Sequence, residues 1–263
     1  MSLVFAKKSL AILESNKSKF VNTLDNIAQN LSDENMEYFD NLLAEIDFRV
    51  LPKKFKSSKQ ENNVINSTVD HSCNVSKVNF FIDMPIELYI VDFLWTVLVG
   101  KLISERPNIL KYSGATAFKS SLYNSSQSLI EGIDFESNRA FKPYFGLYTS
   151  WRDGAFETIQ NTHKHSNSLL LCLDLKSFYY SVDFNFGELD SLLENDSRLK
   201  EFSFLTRIIK NIYFAYTKLL IKYKKGIKVK DNNCVFPIGI TSAIVLRELY
   251  LYGFDRKIVN KLS

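Results

Sequence analysis

Residues 168–182, SLLLCLDLKSFYYSV, decide how the chain is read. Leu169 to Leu173 is a continuous apolar run of strand length, which predicts a strand buried on both faces near the centre of a sheet. Asp174 follows at once. A carboxylate at the end of a central strand is costly to bury alone and is commonly offset by a cation, so Asp174 is a candidate ligand for a divalent ion. The competing assignment is an aspartate that starts a turn or caps a helix.

Downstream, residues 235–255 read VFPIGITSAIVLRELYLYGFD. Pro237 fixes one backbone torsion and Gly239 permits close approach, so a tight turn is expected there. A helix should follow, with Leu246, Leu249, Tyr250 and Gly253 on one face. Upstream, FFIDMPIELYIVDFLWTVLVGKLI (Phe80–Ile103) predicts a short strand, a break at Pro85 and a buried helix carrying Trp95.

The rest of the chain frames these segments. At 263 residues, with 46% hydrophobic and 24% charged, it is an ordinary globular composition and excludes a disordered tail, a collagen-like fibre or a disulfide scaffold. Cys73, Cys172 and Cys234 are widely spaced without a C-x-x-C pair, as expected of free thiols in a reducing cytosol. The N-terminus carries no recognisable secretory signal, and Leu88–Ile103, broken by Asp92 and Lys101, is too short to cross a bilayer unaided. Residues 1–52 are expected to form a helical extension, with Phe20, Leu24, Ile27, Ala28 and Leu31 on one helix face, a second helix signalled at Ser32, and Pro52 as the terminator. Residues 53–79 follow as a polar linker or loop. A further helix is expected to start near Ser150, with Asp153 in its first turn. His71 with Cys73, and His163 with His165, lack the partners that would make a metal site.

Charge is unevenly distributed. Arg207 to Lys230, RIIKNIYFAYTKLLIKYKKGIKVK, carries eight Lys/Arg and no acid, and subtracting those eight from the net +4 leaves −4 for the remaining residues. Such concentration suits a surface that meets a polyanion, as well as a solvated amphipathic helix. Tyr213, Tyr216 and Tyr223 interleave with the lysines as candidate stacking rings or core residues.

LDLKSFYYSV and FPIGITSAIVLRELYL, in this order and about 65 residues apart, together resemble motifs A and B of reverse transcriptases. FFIDMPIELYIVDFLW and FKPYFGLYTSWRDGA are similar to the fingers of bacterial reverse transcriptases of the abortive-infection and phage-defence type. The resemblance covers roughly Phe80 to Asp255. It implies an α+β fold: the helical extension, a fingers-like region over residues 80–160, and the N-terminal part of a right-hand palm over 161–263. It implies RNA-directed DNA synthesis in anti-phage defence within the cytoplasm, with an RNA template, a DNA product, deoxynucleotides and Mg²⁺. A second polymerase subunit or a non-coding RNA would be further partners.

On this resemblance Asp174 is the catalytic carboxylate and, with the backbone carbonyl of Leu175, a ligand for Mg²⁺, a hard ion that takes oxygen donors. Tyr179, five residues on, would lie beneath the sugar and favour deoxynucleotides, and Pro237 and Gly239 would contact template base and incoming nucleotide. Arg152, Lys218, Lys222, Lys224 and Lys225 are the nucleic-acid-binding candidates. Lys119 and Lys142 are further fingers candidates, and Tyr148 or Tyr180 could supply a priming hydroxyl. Two departures stand out. Gly239 and Ser242 are one residue closer than the family spacing, and the aromatic-x-Asp-Asp motif is absent, with no Asp-Asp pair anywhere in the sequence. The chain alone is therefore expected to be inactive as a polymerase, as a portion of a longer enzyme or a subunit without the chemistry. The alternatives are a non-catalytic nucleic-acid-binding or scaffold subunit and a helical interaction module.

Overall fold

A computed structural model of the chain describes residues 17–55, 75–104, 153–154, 156–162 and 178–262. Among these the architecture is mixed α+β: helices packed about one antiparallel strand pair. The N-terminal part holds α1 (Lys17–Ser32) and α2 (Met36–Ala44), then β1 (Asp47–Phe55). β2 (Val75–Asp83) and α3 (Ile86–Ser104) follow. The C-terminal part holds α4 (Phe178–Ser181), α5 (Gly187–Asn195), α6 (Ser197–Lys200), α7 (Ser203–Tyr223) and α8 (Ser242–Leu262). Residues 153–154 and 156–162 are helical, in the stretch where a helix is expected, and its expected start near Ser150 lies outside the described residues.

The strand, break and helix expected over Phe80–Ile103 are found, with Met84 and Pro85 between β2 and α3. The two helices expected in the N-terminal fifty residues are found, but the cap of the second and the stretch from Asp47 depart from expectation. α1 ends at Ser32, and the next helix is capped by Asn35, whose side chain accepts a hydrogen bond from the Tyr38 amide. Residues 47–52 are not helical. They pair antiparallel with β2, Asp47 opposite Asp83 and Val50 opposite Phe80, and the Arg49–Asp83 ion pair (2.6 Å) joins the two strands. Pro52 lies inside β1 beside a register shift, where a residue with no amide proton is tolerated. The segment expected to be a linker thus contributes strand at both ends, Lys53–Phe55 and from Val75 on.

α3 organises the core. It is apolar on nearly every side, as a helix with neighbours all round must be, and it packs against α1, α2, α6, α7 and α8. Leu88, Val91, Trp95, Val99 and Leu102 are buried along it, facing a core that includes Ile208, Ile212 and Leu220 of α7 and Val245, Leu246 and Leu249 of α8. At Gly100 a side-chain carbon would lie 3.2 Å from Val245, so glycine lets α3 and α8 approach. Polar groups inside this core are paired: the Trp95 indole donates to Thr206 Oγ1 (2.9 Å), and the Val235 amide donates to Thr217 Oγ1 (3.1 Å). None of the helices among the described residues is long and apolar enough to cross a membrane.

Candidate functional site around the P-x-G turn

The segment from Cys234 to Ser242 is where separate parts of the chain meet. Cys234 and Phe184 exchange backbone hydrogen bonds (2.9 and 2.7 Å), and Ile238 runs parallel to β2, its carbonyl accepting from the Ile82 amide (3.1 Å). Pro237 is buried, and Gly239 has φ 111°, a backbone conformation that favours glycine. The turn and helix expected from FPIGITSAIVLRELYL are therefore present, with α8 starting at Ser242.

Asp92 of α3 fixes the helix start. The residue is 2% exposed. Oδ2 accepts from the Thr241 amide (2.7 Å) and the Thr241 hydroxyl (2.6 Å), and Oδ1 accepts from the Ser242 amide (3.2 Å). Thr96, one turn along α3, places its hydroxyl 3.0 Å from that of Thr241. This is an N-cap supplied by a different helix: the carboxylate meets the unpaired amides at the positive end of α8. Burial pushes the Asp92 carboxyl above the usual carboxylate range, although the bonds from Ser242 and Thr241 pull the other way.

The residues following Asp174 pack onto the same turn. Phe178 stacks on Phe236 with ring centroids 5.5 Å apart and planes 11° from parallel, and Phe184, Tyr213 and Tyr250 surround Phe236. Tyr179 is half-buried, and its hydroxyl accepts from Arg247 Nη1 (3.2 Å). Arg247 in turn holds Glu248 through Nη2 (2.8 Å). Burial lowers the Arg247 pKa, but the Glu248 carboxylate and the Tyr179 hydroxyl outweigh it and raise the value overall.

Tyr180 points to β2. Its hydroxyl accepts from the Phe80 amide (2.8 Å), while the Phe80 carbonyl accepts from Tyr216 of α7 (2.8 Å). Burial raises the Tyr180 pKa, against the opposing effect of that backbone bond. Lys224 lies with Nζ 3.6 Å from the Tyr180 ring centroid and 5.3 Å from that of Phe80, and desolvation there lowers its pKa.

Several sequence candidates can be placed. Tyr179, Pro237 and Gly239 belong to this region, and Lys218, Lys222 and Lys225 are exposed beyond it. Lys224 is set apart from those lysines by its aromatic seat. Tyr213 and Tyr216 are fully buried core residues rather than surface stacking rings. Asp174, Leu175, Arg152, Lys119, Lys142, Tyr148, His71, Cys73, His163, His165 and Cys172 lie outside the described residues. Among the described residues no group of three or more His, Cys, Asp or Glu is arranged to hold a metal ion, and both Asp92 oxygens are engaged by α8. Asp174 and Leu175, the expected Mg²⁺ ligands, are among the residues outside the description.

Two members of the site escaped the sequence reading. Asp92 was visible only as an interruption of an apolar helix, a pattern that signals a buried polar partner elsewhere. Arg247 carried no signal, because its partner Tyr179 lies 68 residues away. No family model, curated protein or solved structure matches the chain.

Proposed function

We propose that the chain forms fingers and part of a palm of an RNA-directed DNA polymerase, acting in anti-phage defence in the cytoplasm. One observation carries the reading: the segment that follows Asp174 packs directly on the P-x-G turn and its helix, through Phe178 on Phe236 and Tyr179 on Arg247. A nucleotide-joining site of this kind needs its carboxylate strand and its template-side turn side by side, and the packing of Phe178–Tyr180, the described end of the first motif, near the second supports that reading.

On this reading Tyr179 presents its ring to the sugar of an incoming deoxynucleotide, held in orientation by Arg247. Asp92 keeps the Gly239 turn rigid through the first turn of α8, so that the part-exposed backbone at Gly239 can lie against a flat base, with the buried Pro237 supporting it from within. Asp174 and the Leu175 carbonyl are the groups that would hold Mg²⁺, whose charge would stabilise the reacting phosphate oxygens.

A non-catalytic nucleic-acid-binding or scaffold subunit is the second reading, favoured by the exposed lysines Lys218, Lys222 and Lys225 in a stretch without acids. A primer-extension assay on the complete protein with RNA template, deoxynucleotides and Mg²⁺ separates the two. Extension that disappears in Asp174→Asn supports the polymerase, and extension undiminished in that variant refutes the role of Asp174. Template binding with no extension, even with Asp174 intact, selects the scaffold.

A further inference from the structure

The surface at the C-terminal end of α7 has a composition that the site above does not use. Lys218 and Lys222 are four residues apart on the helix and so share a face, and both are exposed. Lys225 and Lys228 continue the exposed series past the helix end, and no acid occurs between Arg207 and Lys230. Among these lysines Tyr223 is 58% exposed, an unusual setting for a large ring. The ring is anchored: it meets Phe48 of β1 at 5.3 Å in an edge contact, and Lys222 Nζ lies 5.4 Å from its centroid. Lys224, seated over Tyr180 and Phe80, braces the helix end from beneath. The β1–β2 pair beside it adds exposed Lys53 and Lys77. Among the described residues the bordering acids include Asp231, which is exposed, Asp47, which is exposed and precedes Phe48, and Asp183, which lies 4.0 Å from Lys230 Nζ and accepts from the Lys230 amide and Asn233.

We propose that this face binds single-stranded nucleic acid, with Tyr223 as the stacking platform and Lys218, Lys222, Lys225 and Lys228 neutralising phosphates. Charge selects a polyanion, and the exposed ring selects one whose bases are unpaired, because bases inside a duplex are already stacked on each other. An anchored tyrosine loses little freedom on stacking, which distinguishes it from a lysine-only surface that would hold any polyanion equally. The proposal stands on this surface and needs no polymerase activity: it fails or succeeds independently of Asp174.

Fluorescence anisotropy of the full chain with labelled oligo-U RNA and oligo-dT DNA tests it across a salt series. Four phosphate contacts predict that log K falls with log salt at a slope of about −2.8 for a single strand, and that replacing all four lysines with Gln removes most of that slope. Tyr223→Ala should weaken binding about tenfold while leaving the slope unchanged, and Tyr223→Phe should restore it. All five positions are exposed, so far-UV circular dichroism should be unaltered by the substitutions. Affinity unchanged in the four-lysine variant overturns the proposal. So does tighter binding of a duplex of the same length than of its single strands, or equal binding to vesicles containing anionic lipid.

Discussion

Replacing Asp92 tests whether one buried carboxylate holds the P-x-G turn. Asp92→Ala leaves three buried donors at the start of α8 without their acceptor: the Thr241 amide and hydroxyl just before the helix and the Ser242 amide in it. Each stranded donor costs about 1 kcal/mol at the low end of the usual range, and relief from burying a carboxyl returns part of the total, so the expected loss is about 2–3 kcal/mol. Asp92→Asn should cost less. Its amide oxygen can serve both Thr241 donors and forfeits only the Ser242 contact, a loss of about 1 kcal/mol. Urea unfolding followed by fluorescence of Trp95, buried one turn along the same helix, measures both.

The pH dependence follows in sign from the raised Asp92 pKa. Between the ordinary carboxylate value and the raised one, the native state holds more protons than the unfolded chain. The resulting stabilisation is complete below the ordinary value and is lost as pH rises through the raised one. The advantage of wild type over Asp92→Asn should therefore shrink from acid toward neutral pH. A loss below about 0.5 kcal/mol in Asp92→Ala, or Asp92→Asn as damaging as Asp92→Ala, would show that α8 does not depend on this cap.

Three other outcomes are expected. Gly239→Ala forces a side chain into positive φ and should cost about 1–2 kcal/mol, visible as a lower thermal midpoint. Thr206→Val removes the acceptor of the Trp95 indole and should cost about 1–2 kcal/mol in the same urea assay, against near neutrality if that bond contributes nothing. Cys234 is fully buried and its thiol is pushed up to about 12 by burial and by Asp183, so iodoacetamide at pH 8 should spare it in the native protein and label it in urea. Peptide mass spectrometry reads the difference, and rapid native labelling would contradict the packing around Phe184 and Phe236.

The parts of the fold that were legible in sequence are those set by local chemistry. Phe80–Ile103 could be divided into strand and helix because Pro85 separates two apolar runs, and the P-x-G turn because only glycine readily takes the φ found at Gly239. β1 was not legible. Ile46 continues the helical spacing, Pro52 resembles a terminator, and strand character there is set by pairing with β2 across the intervening residues 56–74. The charge run shows the same limit. Lys210, paired with Asp190, and Lys224, lying on two rings, cannot be told in sequence from the exposed Lys218 or Lys222. What distinguishes them is contact with residues 20 or more positions away.

Those long-range contacts bear on how an Asp174 substitution must be interpreted. Four residues beyond Asp174 the chain enters α4, whose place is set by contacts of its own residues: Phe178 on Phe236, Tyr179 on Arg247, and Tyr180 on the Phe80 amide. Phe80 is also held at its carbonyl by Tyr216, so β2, α4 and α7 are tied through a single residue of the strand. Breaking one of these ties leaves the other two. Charge removal at Asp174 should then leave the melting temperature nearly unchanged while abolishing extension, and only that combination speaks for chemistry. If Asp174→Asn instead unfolds the protein, the carboxylate belongs to the architecture, and lost activity in that variant carries no information about metal or nucleotide.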